Sequence, residues 1–160
     1  MINENWDKEV YLFLELAAKH DVRMVMVGGG AVNFHGYQRH SADVDFWLDL
    51  SEENLQKLKN VLSEMGFENH EFPDTILKGE QNISLKFSPV GVYVELITSF
   101  SINKSFEEAY NEGVKVLVEG HEFLSWRVLN LDDLILSKIK SGRPKDLLDI
   151  QELVRHKNKD

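Results

Sequence analysis

Asp43 and Asp45 stand one residue apart in the segment Asp43-Val-Asp-Phe-Trp-Leu-Asp-Leu50, which alternates with period two. In a strand, that alternation puts Asp43, Asp45, Trp47 and Asp49 on one face and Val44, Phe46, Leu48 and Leu50 on the other, the second set pointing into the core. Same-face neighbours lie about 7 Å apart, near enough for two carboxylates to converge on one hard cation and too near to be comfortable without it. Aspartate is disfavoured in strands, so the pair asks for a reason. A solvated outer face is the plain alternative.

Two further features bear on that choice. Gly28-Gly29-Gly30 follows the apolar run Arg23-Met-Val-Met-Val27 and precedes a helical stretch. Glycines between a buried strand and a helix let the backbone close on an anion, and they also make a tight turn with no ligand at all. Glu95 is the one acidic residue in the apolar run Val92-Tyr-Val-Glu-Leu-Ile97, where an unpaired buried charge would be costly. A metal ligand or general base facing the aspartates would explain it, as would a surface position or a salt bridge to a lysine.

The loop between the glycines and the aspartates carries Arg39 and Ser41, a fork and a hydroxyl suited to phosphate oxygens and also common in surface loops. Near the C-terminus Lys138, Lys140, Arg143 and Lys145 form a positive island that could meet a triphosphate or an RNA end. Lys138 and Lys140 could equally compensate a helix C-terminus, and Lys145 could pair with Asp149 on a helix surface. The six histidines show no metal-binding spacing, and His35 alone falls near the glycines. Neither a G-x-S-x-G elbow nor a G-x-x-x-x-G-K-[ST] loop is present.

These groups need a scaffold, and the pattern supplies one. The spacing predicts an amphipathic helix from about Asn5 to His20, a buried strand over residues 23–27, a short helix from Ala31 to Gly36, and a strand at residues 43–50. Ser51 then caps a helix whose stripe is Leu55, Leu58, Val61, Leu62 and Met65, up to Gly66. Residues Ile83 to Phe87 and Val92 to Ile97 read as a hairpin, and Val114 to Val118 as a further strand. Two helices follow, Leu131 to Lys140 and Pro144 to His156, with Pro144 in the first turn of the second. The expected fold is α+β, a mixed sheet flanked by helices, in one domain covering residues 1–160.

Composition agrees. At 160 residues, 42% apolar and 28% charged, the chain suits one compact unit. It has no cysteine, which removes disulfide, thiolate-zinc and cysteine-nucleophile chemistry and fits a cytoplasmic setting. The first 19 residues carry too many charges for a secretory leader, and no apolar run approaches membrane-spanning length. A net charge of −9 argues against broad adhesion to nucleic acid.

The stretch V-G-G-G-A-V-N-F-H-G-Y-Q-R-H-S-A-D-V-D-F-W-L-D, Val27 to Asp49, resembles the signature of the nucleotidyltransferase superfamily with the DNA polymerase beta-like fold, especially its minimal bacterial, AbiEii-like members from toxin–antitoxin and abortive-infection systems. Lys138 and R-P-K-D-L-L-D-I, Arg143 to Ile150, resemble the C-terminal motifs of those members. The resemblance implies nucleotide phosphates at Gly28 and Gly29 with Ser41 close by, and Mg²⁺ or Mn²⁺ at Asp43 and Asp45. It implies a third carboxylate on a later strand, Glu95, where the family usually has aspartate, and it extends to Lys138, Lys145 and Asp146. The activity implied is transfer of a nucleoside monophosphate from a nucleoside triphosphate to a hydroxyl on a tRNA end, a protein or a small molecule. A weakly catalytic module that binds a cognate toxin or antitoxin partner is the alternative.

Overall fold

The computed structural model describes residues 6–37, 43–68, 71–89, 91–120 and 124–158. In chain order these form α1 (Lys8–Lys19), β1 (Met24–Val27), α2 (Gly28–Phe34), β2 (Asp43–Leu48), α3 (Glu52–Glu64), α4 (Asp74–Leu77), β3 (Ile83–Lys86), β4 (Tyr93–Ile97), α5 (Phe106–Glu112), β5 (Val114–Leu117), β6 (Ser125–Val128), α6 (Leu131–Ser141) and α7 (Pro144–Asn158).

All six strands join one mixed sheet in the order β3-β4-β2-β1-β6-β5. β1 runs antiparallel to β2 and parallel to β6; β2 runs parallel to β4; the edge strands β3 and β5 close antiparallel pairs. The expected mixed sheet flanked by helices, with helices at the C-terminal end, is what forms.

The alternation of β2 does what its sequence requires. Val44, Phe46 and Leu48 are buried, as are Val94 and Leu96 of β4 and Ile83 and Leu85 of β3, which share their face. They merge into one core with Val10, Phe13 and Leu14 of α1 and Leu55, Leu58 and Val61 of α3. On the opposite face, Asp43 and Asp45 are half-buried while Trp47 is fully covered. Its ring packs 5.2 Å from both Phe100 and Phe106, so α5 closes one end of that face, while the carboxylate end stays half-buried.

Asp49, expected in the same row, lies just past the strand and has a structural role. It accepts hydrogen bonds from the Ser51 hydroxyl and amide and faces the Arg23 guanidinium at 3.6 Å. Ser51 caps α3 as expected, accepting from the Asn54 amide at 3.2 Å. Asn54 is itself buried: it accepts the Arg23 amide at 2.7 Å and donates to the carbonyls of Arg23 and Asp49, pinning α3 to the start of β1 and the end of β2.

Three elements go beyond the sequence reading: α4, α5 and β6. Among the described residues no helix is long and apolar enough to cross a membrane.

Candidate active site

The site grows from the junction of β1 and α2. No loop intervenes: Val27 ends the strand and Gly28 begins the helix, earlier than the expected start at Ala31. Gly28 adopts φ of 62°, a left-handed conformation that side chains resist. Val27 is paired with Asp45 across the antiparallel seam, so the Gly28 backbone lies against the Asp45 side chain. A β-carbon at Gly28 would overlap Asp45 Oδ2 and lie 3.3 Å from Cγ. Gly29 and Gly30 are buried inside α2, the latter beneath Met26 Sδ.

The parallel seam between β2 and β4 sets Asp45 beside Glu95 and Asp43 beside Tyr93. Three carboxylates thus share one half-buried face. The Asp45 carboxyl is pushed up to about 6, first by burial and then by repulsion from Asp43 and Glu95; Lys138 and Lys145 pull the other way but do not prevail. Glu95 is half-buried, nearer the surface alternative than a core position. β4 alternates, Glu95 falls on the half-exposed face, and it accepts a hydrogen bond from the Ser84 hydroxyl at 2.6 Å.

The C-terminal helices reach this face with their charged groups. Lys138, expected in an open basic island, is instead only 5% exposed. Its ammonium lies 3.4 Å from Asp146 Oδ1 and 3.2 Å from Asp149 Oδ2, and both aspartates are buried. Asp149 is therefore not a surface partner for Lys145. Asp146 also takes the Arg143 side chain through both oxygens, at 2.8 and 3.2 Å, and the Arg143 amide at 3.1 Å. Burial works to raise the Asp146 carboxyl, but hydrogen bonds from Arg143 and Ser141 and the Lys138 charge outweigh it and hold it well below the ordinary carboxylate range. The same hydrogen bond holds the Arg143 guanidinium more firmly protonated, with Asp45 adding to the effect. Lys145 is exposed and Lys140 donates to Ser101 and Asn103.

The structure therefore brings together Gly28, Asp43, Asp45, Glu95, Lys138 and Lys145. Gly29 is one residue further into α2. Arg39 and Ser41 lie outside the described residues. His35, the histidine nearest the glycines, has a structural contact: Nε2 meets the Leu129 carbonyl at 2.8 Å, and burial lowers its pKa. The group that the sequence reading undervalued is Asp149, whose signal was its position three residues after Asp146, which puts both on one helix face.

Charged residues gathered from both ends of the chain should answer to a pattern spanning its whole length. One does: the family model described as "Nucleotidyltransferase of unknown function (DUF6036)" matches residues 7–158. The chain belongs to this family. No curated protein matches it in a sequence search. The DUF6036 match runs from the residue before α1 to the end of α7, so the glycine junction, the carboxylate face and the buried Lys138 cluster all fall within the family's span.

Proposed function

We propose that the chain transfers a nucleoside monophosphate from a nucleoside triphosphate to a hydroxyl acceptor, with Asp43, Asp45 and Glu95 as the carboxylates of a Mg²⁺- or Mn²⁺-dependent site. The observation that carries this reading is the gathering of Asp43, Asp45 and Glu95 on one half-buried face against Gly28, where burial first and mutual repulsion second raise Asp45 to about 6. A folded chain keeps such repulsion where a cation is to be recruited.

The donor set is all hard oxygen, which suits Mg²⁺. Among the described residues no three acidic or histidine side chains close on one point. Mg²⁺ commonly takes one or two carboxylates and completes its shell with phosphate oxygens and water, so the Asp43–Asp45 pair with Glu95 alongside remains a fitting set. When bound, the ion would neutralise charge on the phosphate oxygens.

The residues of the chain do the rest. Gly28, which admits the Asp45 carboxylate where a β-carbon would stand, and Gly29 behind it are assigned to the triphosphate by the family pattern, and Arg39 and Ser41 add donors for it. Lys145, exposed and within the field of Asp45, faces phosphate charge, while Lys138 acts from its ion pairs with Asp146 and Asp149. The acceptor oxygen bonds to the α-phosphorus, its proton passes to a carboxylate for which Glu95 is suited, and the bond to the bridging oxygen breaks to release pyrophosphate.

The test incubates the protein with Mg²⁺ and each α-labelled nucleoside triphosphate, offering total RNA and a protein lysate in parallel, with Asp43→Ala/Asp45→Ala as control. Label on one acceptor class with the native sequence alone supports the transferase and names the class. Absence of label together with absence of a Mg²⁺-dependent thermal shift by triphosphate overturns it.

A further inference from the structure

α7 is built inside out. Its buried residues are Asp146, Asp149 and Leu153, while Leu147 is 58% exposed, Leu148 49% and Val154 38%. Helical spacing sets Leu147, half-buried Ile150 and Val154 in one stripe. Ile139, 57% exposed, adds to it from the end of α6. A single leucine facing water is ordinary. A helix that buries two carboxylates and turns its leucines outward is not, because either feature alone opposes folding. The ion pairs of Lys138 and Arg143 fix α7 by its acidic side, so the apolar side is left outward by construction of the site.

The surroundings of this stripe are basic in a protein of net charge −9. Arg143, one turn before Leu147, and Arg155, next to Val154, are exposed beside it, as is Lys140 next to Ile139. Lys140 is held by the neutral groups of Ser101 and Asn103, and Arg155 pairs with Glu152 at 3.3 Å yet keeps its side chain 63% exposed. We propose that the outward face of α7, with the end of α6, docks a partner protein through a segment that is both apolar and acidic.

Other occupants fit less well. A second copy packed about a two-fold axis would bring the three cations onto their own counterparts. A nucleic acid would use the cations but leave the leucines idle, and α6 and α7 contain no Phe, Tyr or Trp on which bases could stack. An anionic membrane would meet the same lack of aromatic anchors and the repulsion of a net −9 chain. The inference goes beyond nucleotide transfer and stands without it.

The experiment measures fluorescence anisotropy of a labelled leucine–glutamate helical peptide about 18 residues long, titrated with the whole protein. The comparisons are the leucine–lysine version, a single-stranded RNA, phosphatidylserine vesicles, and sedimentation of the protein alone. The variants are Leu147→Ser/Leu148→Ser/Val154→Ser and, separately, Arg155→Glu, each checked for native circular dichroism and thermal midpoint. Expected is binding of the leucine–glutamate peptide with at least about tenfold preference over the lysine version, weakened about tenfold by the serine variant and less by Arg155→Glu, and eased by salt. No binding of the acidic peptide, or equal binding by the serine variant, overturns the proposal. So does self-association, RNA binding or vesicle binding that the serine variant abolishes.

Discussion

Gly28 has no room for a side chain because Asp45 occupies the space where its β-carbon would be. Gly28 opens α2 directly after β1, and Asp45 lies on the neighbouring β2; the Val27–Asp45 pair joins them, so the backbone turn and the carboxylate are set by one another. Gly28→Ala brings two penalties, the left-handed φ of 62° and the collision. We expect a loss of roughly 1–3 kcal/mol in urea unfolding, with the Mg²⁺-dependent thermal shift by triphosphate reduced further than Gly30→Ala reduces it. An equal effect of the two variants on that shift would remove the special standing of Gly28.

Asp45 should make the fold less stable as pH rises. Its folded pKa of about 6 lies above the unfolded value of 3.8, so the folded state holds the proton more tightly. Its unfavourable contribution is absent below about pH 4, grows between about pH 4 and pH 6, and is constant above. Asp45→Asn should therefore match the native protein in urea midpoint at the acid end and exceed it near pH 7. The sign is opposite for Asp146, whose lowered pKa contributes stability that disappears only on strong acidification. A midpoint difference that does not change with pH would refute the assignment for Asp45.

Lys138 pairs with both Asp146 and Asp149 inside the fold, and Arg143 shares Asp146. Lys138→Met removes the cation shared by two buried carboxylates, and about 3–5 kcal/mol should be lost in equilibrium unfolding. Adding Asp149→Leu should restore part of that loss. Recovery by the double variant separates an uncompensated charge from a simple packing defect.

Asn54 ties three segments by side-chain hydrogen bonds to backbone. Asn54→Ala strands the buried amide of Arg23 and should lower stability by about 1–3 kcal/mol, while Gln56→Ala, on the exposed side of α3, should change it little. Chemical denaturation of the two variants tests the difference.

Much of this was readable in advance for definite reasons. The period of two in residues 43–48 fixed which side of β2 carries carboxylates, and Ser51 and Pro144 marked helix starts through local chemistry alone. Ser125–Val128 was not readable, since four residues establish no period and the strand exists through its neighbours β1 and β5. α5 did have a signal, the Ser105–Glu108 capping box, both halves of which form. At the site, local pattern put the aspartates on one face of β2 but left Glu95 open between a ligand and a surface position, because an apolar run does not itself say which residues an alternating strand turns outward. Lys138 was beyond reach for another reason: a lysine is buried only when carboxylates meet it there, and those come from a different helix.

β1 is stitched on one side to β2, about twenty residues downstream, and on the other to β6, about a hundred residues downstream. Closing the longer loop is the slower event. The strands that bear Asp43, Asp45 and Glu95 can therefore pair before β6, α6 and α7 arrive with Lys138 and Lys145. During that interval the acidic face stands without its cations. Ionic strength, by screening like charges, should hasten the final closure while hardly touching the finished Lys138 contacts, which water does not reach.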